Sequence, residues 1–167
     1  AAKKYPDVKF EHATGYKTDA NVGVYNARFY EGRYLAGMVA GRMTRSNIAG
    51  YVAAFPIPEV VMGINAFTRG MRAVNPKAEM KVIWTNSWYA PDKEKKAAES
   101  LKSAGACVIG QNVDSPAAGQ YSQSAGLPWV GYDSNAKKFA PTSWLTAAVY
   151  NWGPYYLSRV KAAMAGT

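Results

Sequence analysis

Short, uninterrupted apolar runs punctuate this chain. Ile48-Ala49-Gly50-Tyr51-Val52-Ala53-Ala54, Val82-Ile83-Trp84, Cys107-Val108-Ile109-Gly110 and Leu127-Pro128-Trp129-Val130 have almost no polar interruption. Continuous apolar character, in place of strict alternation, marks strands covered on both faces. Between the runs lie segments with helical spacing and helical punctuation. A helix is expected from Pro58 to about Val74, opened by Pro56 and Pro58 and ended by Asn75-Pro76. The next runs from Pro91 to about Ser103 and closes at Gly105, and a third starts at Ser115-Pro116 and ends before Gly126.

The flanks follow a different rhythm. Val8 to Ala13 alternates as a strand, with Val8, Phe10 and His12 on one face. After a loop over Thr14 to Asn21, a helix is expected from about Val24 to Met43, with Phe29, Leu35, Met38 and Val39 along its stripe. Gly32, Gly37 and Gly41 on that helix admit close approach of another backbone. Leu145 to Tyr150 reads as a strand and Gly153 to Ala165 as a final helix.

From residue 47 to residue 133 the order is strand, helix, strand, helix, strand, helix, strand. Connections of that length produce an α/β fold: a parallel, right-handed, doubly wound sheet with helices on both faces. Residues 1–46 and the last helix fall outside the repeat and point to a second sheet. A chain of 167 residues can bury one ordinary core, and the apolar fraction of 49% with 19% charged residues is that of a globular protein. No stretch approaches the ~20 apolar residues that span a bilayer, and no basic-apolar-small leader pattern opens the chain. Both ends, at Lys3-Lys4-Tyr5-Pro6-Asp7 and at Gly166-Thr167, read as cuts in mid-fold.

Several kinds of chemistry lack support. Cys107 is the only cysteine, within an apolar run, and is expected to be a buried, inert thiol. His12 is the only histidine and has no cysteine near it, so neither a Ser/His/Asp site nor a His-rich metal site is indicated. Glu31 and Glu59 have nothing to bring them together as an acid/base pair, and the helix dipole accounts for Glu59 in a first turn. No Gly-rich phosphate loop stands at a strand-to-helix turn. The net charge of +9 comes from basic residues scattered among acids, as where Lys93, Lys95, Lys96 and Lys102 share a helix with Asp92, Glu94 and Glu99. That is a solvated surface and not a nucleic-acid footprint.

Binding chemistry gathers instead at the strand ends. In open α/β sheets, ligands meet the residues just past the carboxyl ends of the strands. There the chain carries Phe55, Trp88, Asn112 with Asp114, and Asp133. A flat heterocycle needs an aromatic face and a few directed hydrogen bonds. Trp88 and Phe55 offer the face, although Trp88 could equally plug a rim and Phe55-Pro56 could be a corner. Asp133 can accept two hydrogen bonds, with a helix cap or a salt bridge to Lys137 or Lys138 as its alternative. Asp114 reads as either a plain N-cap or, with Asn112, a reader of a base edge. No cofactor, metal ligand or catalytic residue is expected.

Several segments resemble, in order, the basic membrane protein (BMP) family of ABC-transporter substrate-binding proteins. They are Phe29-Tyr30-Glu31-Gly32-Arg33-Tyr34-Leu35-Ala36-Gly37, Phe55-Pro56-Ile57-Pro58-Glu59-Val60, Asn86-Ser87-Trp88-Tyr89, Asp114-Ser115-Pro116-Ala117, Gly131-Tyr132-Asp133 and Asn151-Trp152-Gly153-Pro154-Tyr155-Tyr156. The resemblance covers essentially the whole chain. It implies a type I periplasmic binding protein-like fold of two doubly wound lobes, here with one lobe incomplete, since such proteins usually have about twice this length. On that frame residues 1–46 are part of the N-terminal lobe, 47–145 the C-terminal α/β lobe, and 146–167 a crossover strand end and a helix returning to the N-terminal lobe.

The resemblance further implies a purine base or purine nucleoside bound between the lobes, delivery to an ABC permease, and residence in the periplasm or on a lipid anchor outside the cytoplasmic membrane. It puts an aromatic stacker in the turn of Trp88, and ligand contact at the crossover, where Asn151 and Trp152 stand. Nucleoside-binding members tend to carry a lysine shortly after the Thr-Ser pair, whereas Thr142-Ser143 is followed here by Trp144, Leu145 and Thr146. That departure favours a free base such as adenine or hypoxanthine. The rival readings are a sugar or autoinducer receptor of the same fold and, from another class, a nucleoside-processing enzyme. Nucleic-acid binding through Tyr150, Trp152, Tyr155 and Tyr156 is less well supported than a helix-packing role for that cluster.

Overall fold

A computed structural model describes residues 1–166. Its centre is a five-stranded, all-parallel sheet built from β3 (Ile48–Ala53), β4 (Glu79–Trp84), β5 (Val108–Asn112), β6 (Trp129–Asp133) and β7 (Trp144–Val149), in the spatial order β4-β3-β5-β6-β7. Preceding it are β1 (Phe10–Ala13) and β2 (Val22–Tyr25), a separate parallel pair. The helices are α1 (Phe29–Met43), α2 (Pro58–Val74), α3 (Pro91–Ser103), α4 (Ala117–Ala125) and α5 (Gly153–Met164).

Alternate residues of β3 feed two cores, as burial on both faces requires. Tyr51 and Ala53 join Ala36 and Ala40 of α1 and Val60, Phe67 and Met71 of α2. Val52 joins Ala97, Ala98 and Leu101 of α3, Ala118 of α4 and Trp129 of β6. The sheet is therefore doubly wound, as its sequence pattern predicts. The chain runs from β3 outward to β4 and then returns across β3 to β5. The strand order thus reverses between β3 and β5, which sets a crevice at their carboxyl ends.

Helix α1 lies directly on α2, and Gly37, Gly41 and Gly70 make this possible. A Cβ at Gly37 would fall 2.0 Å from the Phe67 carbonyl oxygen, and one at Gly70 would fall 1.9 Å from that of Tyr34. The close backbone approach expected of Gly37 is met by α2.

One expectation needs correction. The helix expected from Val24 begins only at Phe29, because Val22–Tyr25 is a strand paired with β1. Val22 and Val24 are β-branched and Tyr25 aromatic, which suits a pleated ribbon better than a helix turn. Contacts also cross the bounds between segments 1–46, 47–145 and 146–167. α1 packs on α2 and β7, and β7, through Val149, completes the large sheet beside β6. β1, β2 and α5 form the smaller unit, joined by Tyr155 Oη donating to Glu11 at 2.8 Å and by Tyr25 stacked on Tyr155. No residue of those three elements is fully buried. Among the described residues no helix is long and apolar enough to cross a membrane.

Candidate functional site

The carboxyl ends of the central strands bring most of the expected residues to one edge. Just past β3, the Phe55 ring lies 5.7 Å from that of Trp88, tilted at 60°. Trp88 follows a braced turn in which Thr85 Oγ1 donates to the Ser87 carbonyl at 2.9 Å and Asn86 takes a left-handed backbone with φ 53°. Trp88 is 37% exposed. The Trp88 carbonyl accepts the Asp114 N–H at 2.8 Å, tying the stacking candidate to the acidic loop after β5.

Asp114 does not cap α4. That helix has no side-chain cap on its N-terminal residue, and Ala117 N–H donates instead to Ser115 Oγ at 3.3 Å. Ser115 in turn donates to Glu94, a fully buried carboxylate whose other oxygen accepts the Ala90 N–H at 2.9 Å. Glu94 thus fastens the start of α3 to the Asp114 loop and leaves the Asp114 carboxylate free to face the crevice. Asp133 ends β6 with φ 68°, a left-handed conformation that Asp tolerates better than most residues. Neither Lys137 nor Lys138 pairs with it: among the described residues the ion pairs are Arg28–Glu31 and Arg159–Glu11.

Asn112 is buried at the end of β5, beside the Tyr132 hydroxyl. Two cavities open here. One, of about 20 Å³, is lined by Asn26, Phe29, Glu59, Met62, Asn112 and Tyr132, and the other, about 60 Å³, by Asp114, Ser115, Trp129, Tyr132 and Phe139 among others. Tyr132 lines both, and neither contains a lysine, arginine or histidine. Phe55, Trp88 and Asp133 line neither cavity, and Asn151 and Trp152 also lie apart from them, at the crossover. Trp152 stacks on Tyr150 at 4.7 Å, and Tyr150 on Phe29 at 4.2 Å, so an aromatic column links the crossover to the crevice wall.

Carboxylates crowd the site. Burial raises the Asp114 pKa, and the charge of Asp133 raises it further. Burial also raises Asp133, opposed by the positive charge of Arg33. Glu59 is raised by burial and lowered by a hydrogen bond from Thr14, a residue of the smaller unit. Tyr150 is pushed up to about 12, by burial first and then by the charges of Glu59 and Asp133.

A stability prediction follows from these directions. A carboxyl whose folded pKa exceeds its unfolded one contributes stability that is present below the unfolded value, about 3.9 for Asp, and is lost as pH rises through the folded value. Asp114→Asn is therefore expected to melt no lower than the parent at pH 7, with its relative advantage shrinking toward pH 4. Thermal unfolding across that range checks it. A variant less stable at pH 7 would show that the Asp114 charge is stabilising.

Tyr132, Tyr150, Glu59 and Arg33 stand here as well, although none of them is a ligand-binding candidate from the sequence. The aromatic strand ends of Tyr132 and Tyr150 were the available signal for two of them, whereas Glu59 reads as an ordinary first-turn acid. Cys107 also departs from expectation. It is half-buried, and although burial works to raise its pKa, hydrogen bonds from Ser46, Thr44 and the Arg45 backbone outweigh it and leave the thiol below its ordinary value. It immediately precedes β5, at the opposite end of the sheet from the crevice.

A parallel, doubly wound sheet whose strand order reverses between β3 and β5 is an α/β fold of the type I periplasmic binding class. The family described as "ABC transporter substrate-binding protein PnrA-like" matches residues 1–167, and the chain belongs to it. A purine-binding protein of Brucella abortus (strain 2308) is 54% identical over 166 residues, covering 99% of this chain and 47% of that protein. A putative ABC transporter glucose-binding protein of Haloferax volcanii is 47% identical over 155 residues, covering 93% of this chain and 40% of that one. A solved ABC transporter solute-binding protein from Conexibacter woesei superposes with a TM-score of 0.72 at 28% identity, covering 99% of this chain and 57% of the other. The chain spans about half the length of the relatives it matches.

Proposed function

We propose that this chain supplies the larger share of an interlobe crevice in which an extracytoplasmic solute-binding protein of an ABC importer holds a purine, and from which it delivers that purine to the permease. The observation that carries the reading is the pairing of an exposed indole, backed by Phe55, with a carboxylate-rich rim that has no basic lining residue. Aromatic faces hold flat rings, and carboxylates accept hydrogen bonds from ring and exocyclic N–H groups. A phosphate would find no cation there, which argues for a base or nucleoside over a nucleotide.

Among purines a free base such as adenine or hypoxanthine is favoured. The residue after Thr142-Ser143 is Trp144, and its ring packs edge-on to the buried Trp129 at 5.2 Å, so this stretch is committed to the sheet's core instead of a sugar hydroxyl. Closing follows from contacts made on both sides of the crevice only when the lobes meet. The 26–28 and 150–152 segments, which join the smaller unit to the large sheet, are the hinge. The relative named for purine binding supports this reading. The one named for glucose supports a sugar alternative, since an indole also stacks on a pyranose. No site here performs chemistry on the ligand in this reading.

Calorimetry of the full protein with adenine, hypoxanthine, adenosine, AMP, ribose and glucose tests it. One or more purine bases should bind, with AMP, ribose and glucose silent. Ribose or glucose binding without purine binding refutes the assignment, and purine conversion during prolonged incubation would revive the enzyme alternative.

A further inference from the structure

The five-stranded sheet has a gap at its functional end. β5 and β6 pair only through Ile109↔Trp129 and Gly110↔Val130. Each strand nevertheless stays paired on its other side to its last residue, with Asn112 opposite Ala53 of β3 and Asp133 opposite Val149 of β7. The next residues in β5–β6 register are Gln111 and Gly131. Their carbonyls both accept from one guanidinium: Arg33 Nη2 donates to Gln111 O at 2.6 Å and Arg33 Nη1 to Gly131 O at 3.1 Å.

We infer that Arg33 is a positioning residue of the binding crevice: it replaces the missing strand pairing between β5 and β6 and sets the spacing of the strand ends that carry Asn112 and Asp133. This rests on the reading that those two residues face the ligand.

The environment of Arg33 fits that role, with both terminal nitrogens engaged and only the buried Nε left without a hydrogen-bond partner. Its side chain is fully buried, yet neither ion pair among the described residues includes it. A buried cation without a carboxylate partner is costly, and an apolar side chain would pack there at less cost. The guanidinium instead meets the two carbonyls and the faces of Phe29, Tyr51 and Tyr132, at 5.3, 5.7 and 4.9 Å from the ring centroids. Two of those rings, Phe29 and Tyr132, line the crevice cavity. A planar fork offers two carbonyls two fixed, pre-organised donors, a geometry that a flexible lysine ammonium does not set. Gln111 secures the β5 side, accepting the Trp129 indole N–H at 3.0 Å and donating to the Val113 and Ser115 carbonyls at 2.9 Å.

The charge has a second effect. Asp133 is faced by Arg33 from α1, by Asp114 after β5, by Tyr132 on its own strand and by Tyr150 after β7, with Glu59 of α2 acting on Tyr150. Arg33 is the one cation in that set, and its charge opposes the rise that burial imposes on Asp133.

Arg33→Lys and Arg33→Gln in the full protein separate the two effects. Lysine keeps the charge and loses the fork, so purine affinity should fall about tenfold while the pH midpoint of Asp133, followed by carboxyl NMR in the ligand-free protein, stays at the parent value. Glutamine loses both, so affinity should fall further and the Asp133 midpoint should move up. Parental purine affinity in Arg33→Lys would overturn the positioning role, even if Arg33→Gln does not fold. An unmoved Asp133 midpoint in folded Arg33→Gln would overturn the electrostatic one. If the parent binds no purine, the functional reading fails by itself. The crystal structure of Arg33→Lys then decides the inference: an unchanged separation of Asn112 from Asp133 overturns it, and a changed one upholds it.

Discussion

Asp133→Asn is expected to weaken purine binding by roughly 100-fold while leaving the fold intact. Asparagine keeps the shape of the side chain and tolerates the left-handed backbone at φ 68°, so the turn after β6 survives. What changes is the charge and one of two acceptor oxygens. Hydrogen bonds to a charged group contribute about 1.5–3 kcal/mol each, and about 1.4 kcal/mol is a factor of ten. Trp88→Ala should cost about 10–100-fold by loss of stacking, on the scale of about 1–3 kcal/mol per stacked base. Calorimetry reads both, with circular dichroism to show that each variant is folded. Parental affinity in Asp133→Asn would remove the carboxylate from the site.

Gly37→Ala is expected to have the largest effect on stability, about 3 kcal/mol or more, a sizeable part of what a domain this size holds in reserve. The new methyl would sit 2.0, 2.8 and 2.9 Å from the carbonyl oxygen, carbonyl carbon and Cα of Phe67. These are backbone atoms in the middle of α2, so relief requires α1 and α2 to separate and to disturb the core around Phe67 and Met71. Gly63→Ala is the control. It lies in the same helix pair, but its nearest neighbours would be the Arg33 Cγ and Asn112 Oδ1, both at 3.9 Å, and mid-helix alanine is worth up to about 1 kcal/mol over glycine. Chemical denaturation should show Gly37→Ala strongly destabilised and Gly63→Ala near the parent. Equal midpoints would mean that the helices are not as closely seated as described.

The sheet was legible because its strands are buried on both faces, which leaves apolar runs such as Val82-Ile83-Trp84 that little else explains. The ends of those runs were legible for the same reason: a polar or aromatic residue directly after a buried strand, as at Phe55, Asn112 and Asp133, has few places to go except the sheet's edge. The start of α1 was misread because Val22 and Val24 suit a helical stripe and a ribbon equally, and only pairing with β1 decides between them. Arg33 was invisible for a deeper reason. A charged residue in a helix reads as a solvated position, and its burial depends on the β5–β6 gap, a property of two strands some eighty to a hundred residues further along. Tyr132 and Tyr150 read as strand residues. Their places in the aromatic wall depend on the tertiary meeting of β6, β7 and α1.

The most direct test of the account is a crystal structure of the full protein grown with adenine or hypoxanthine. Flat bicyclic density lying on the Trp88 indole, with a ring N–H within about 2.7–3.2 Å of the Asp133 carboxylate, is the predicted result. Density for the base elsewhere on the molecule, or a sugar ring occupying the crevice in its place, would contradict it.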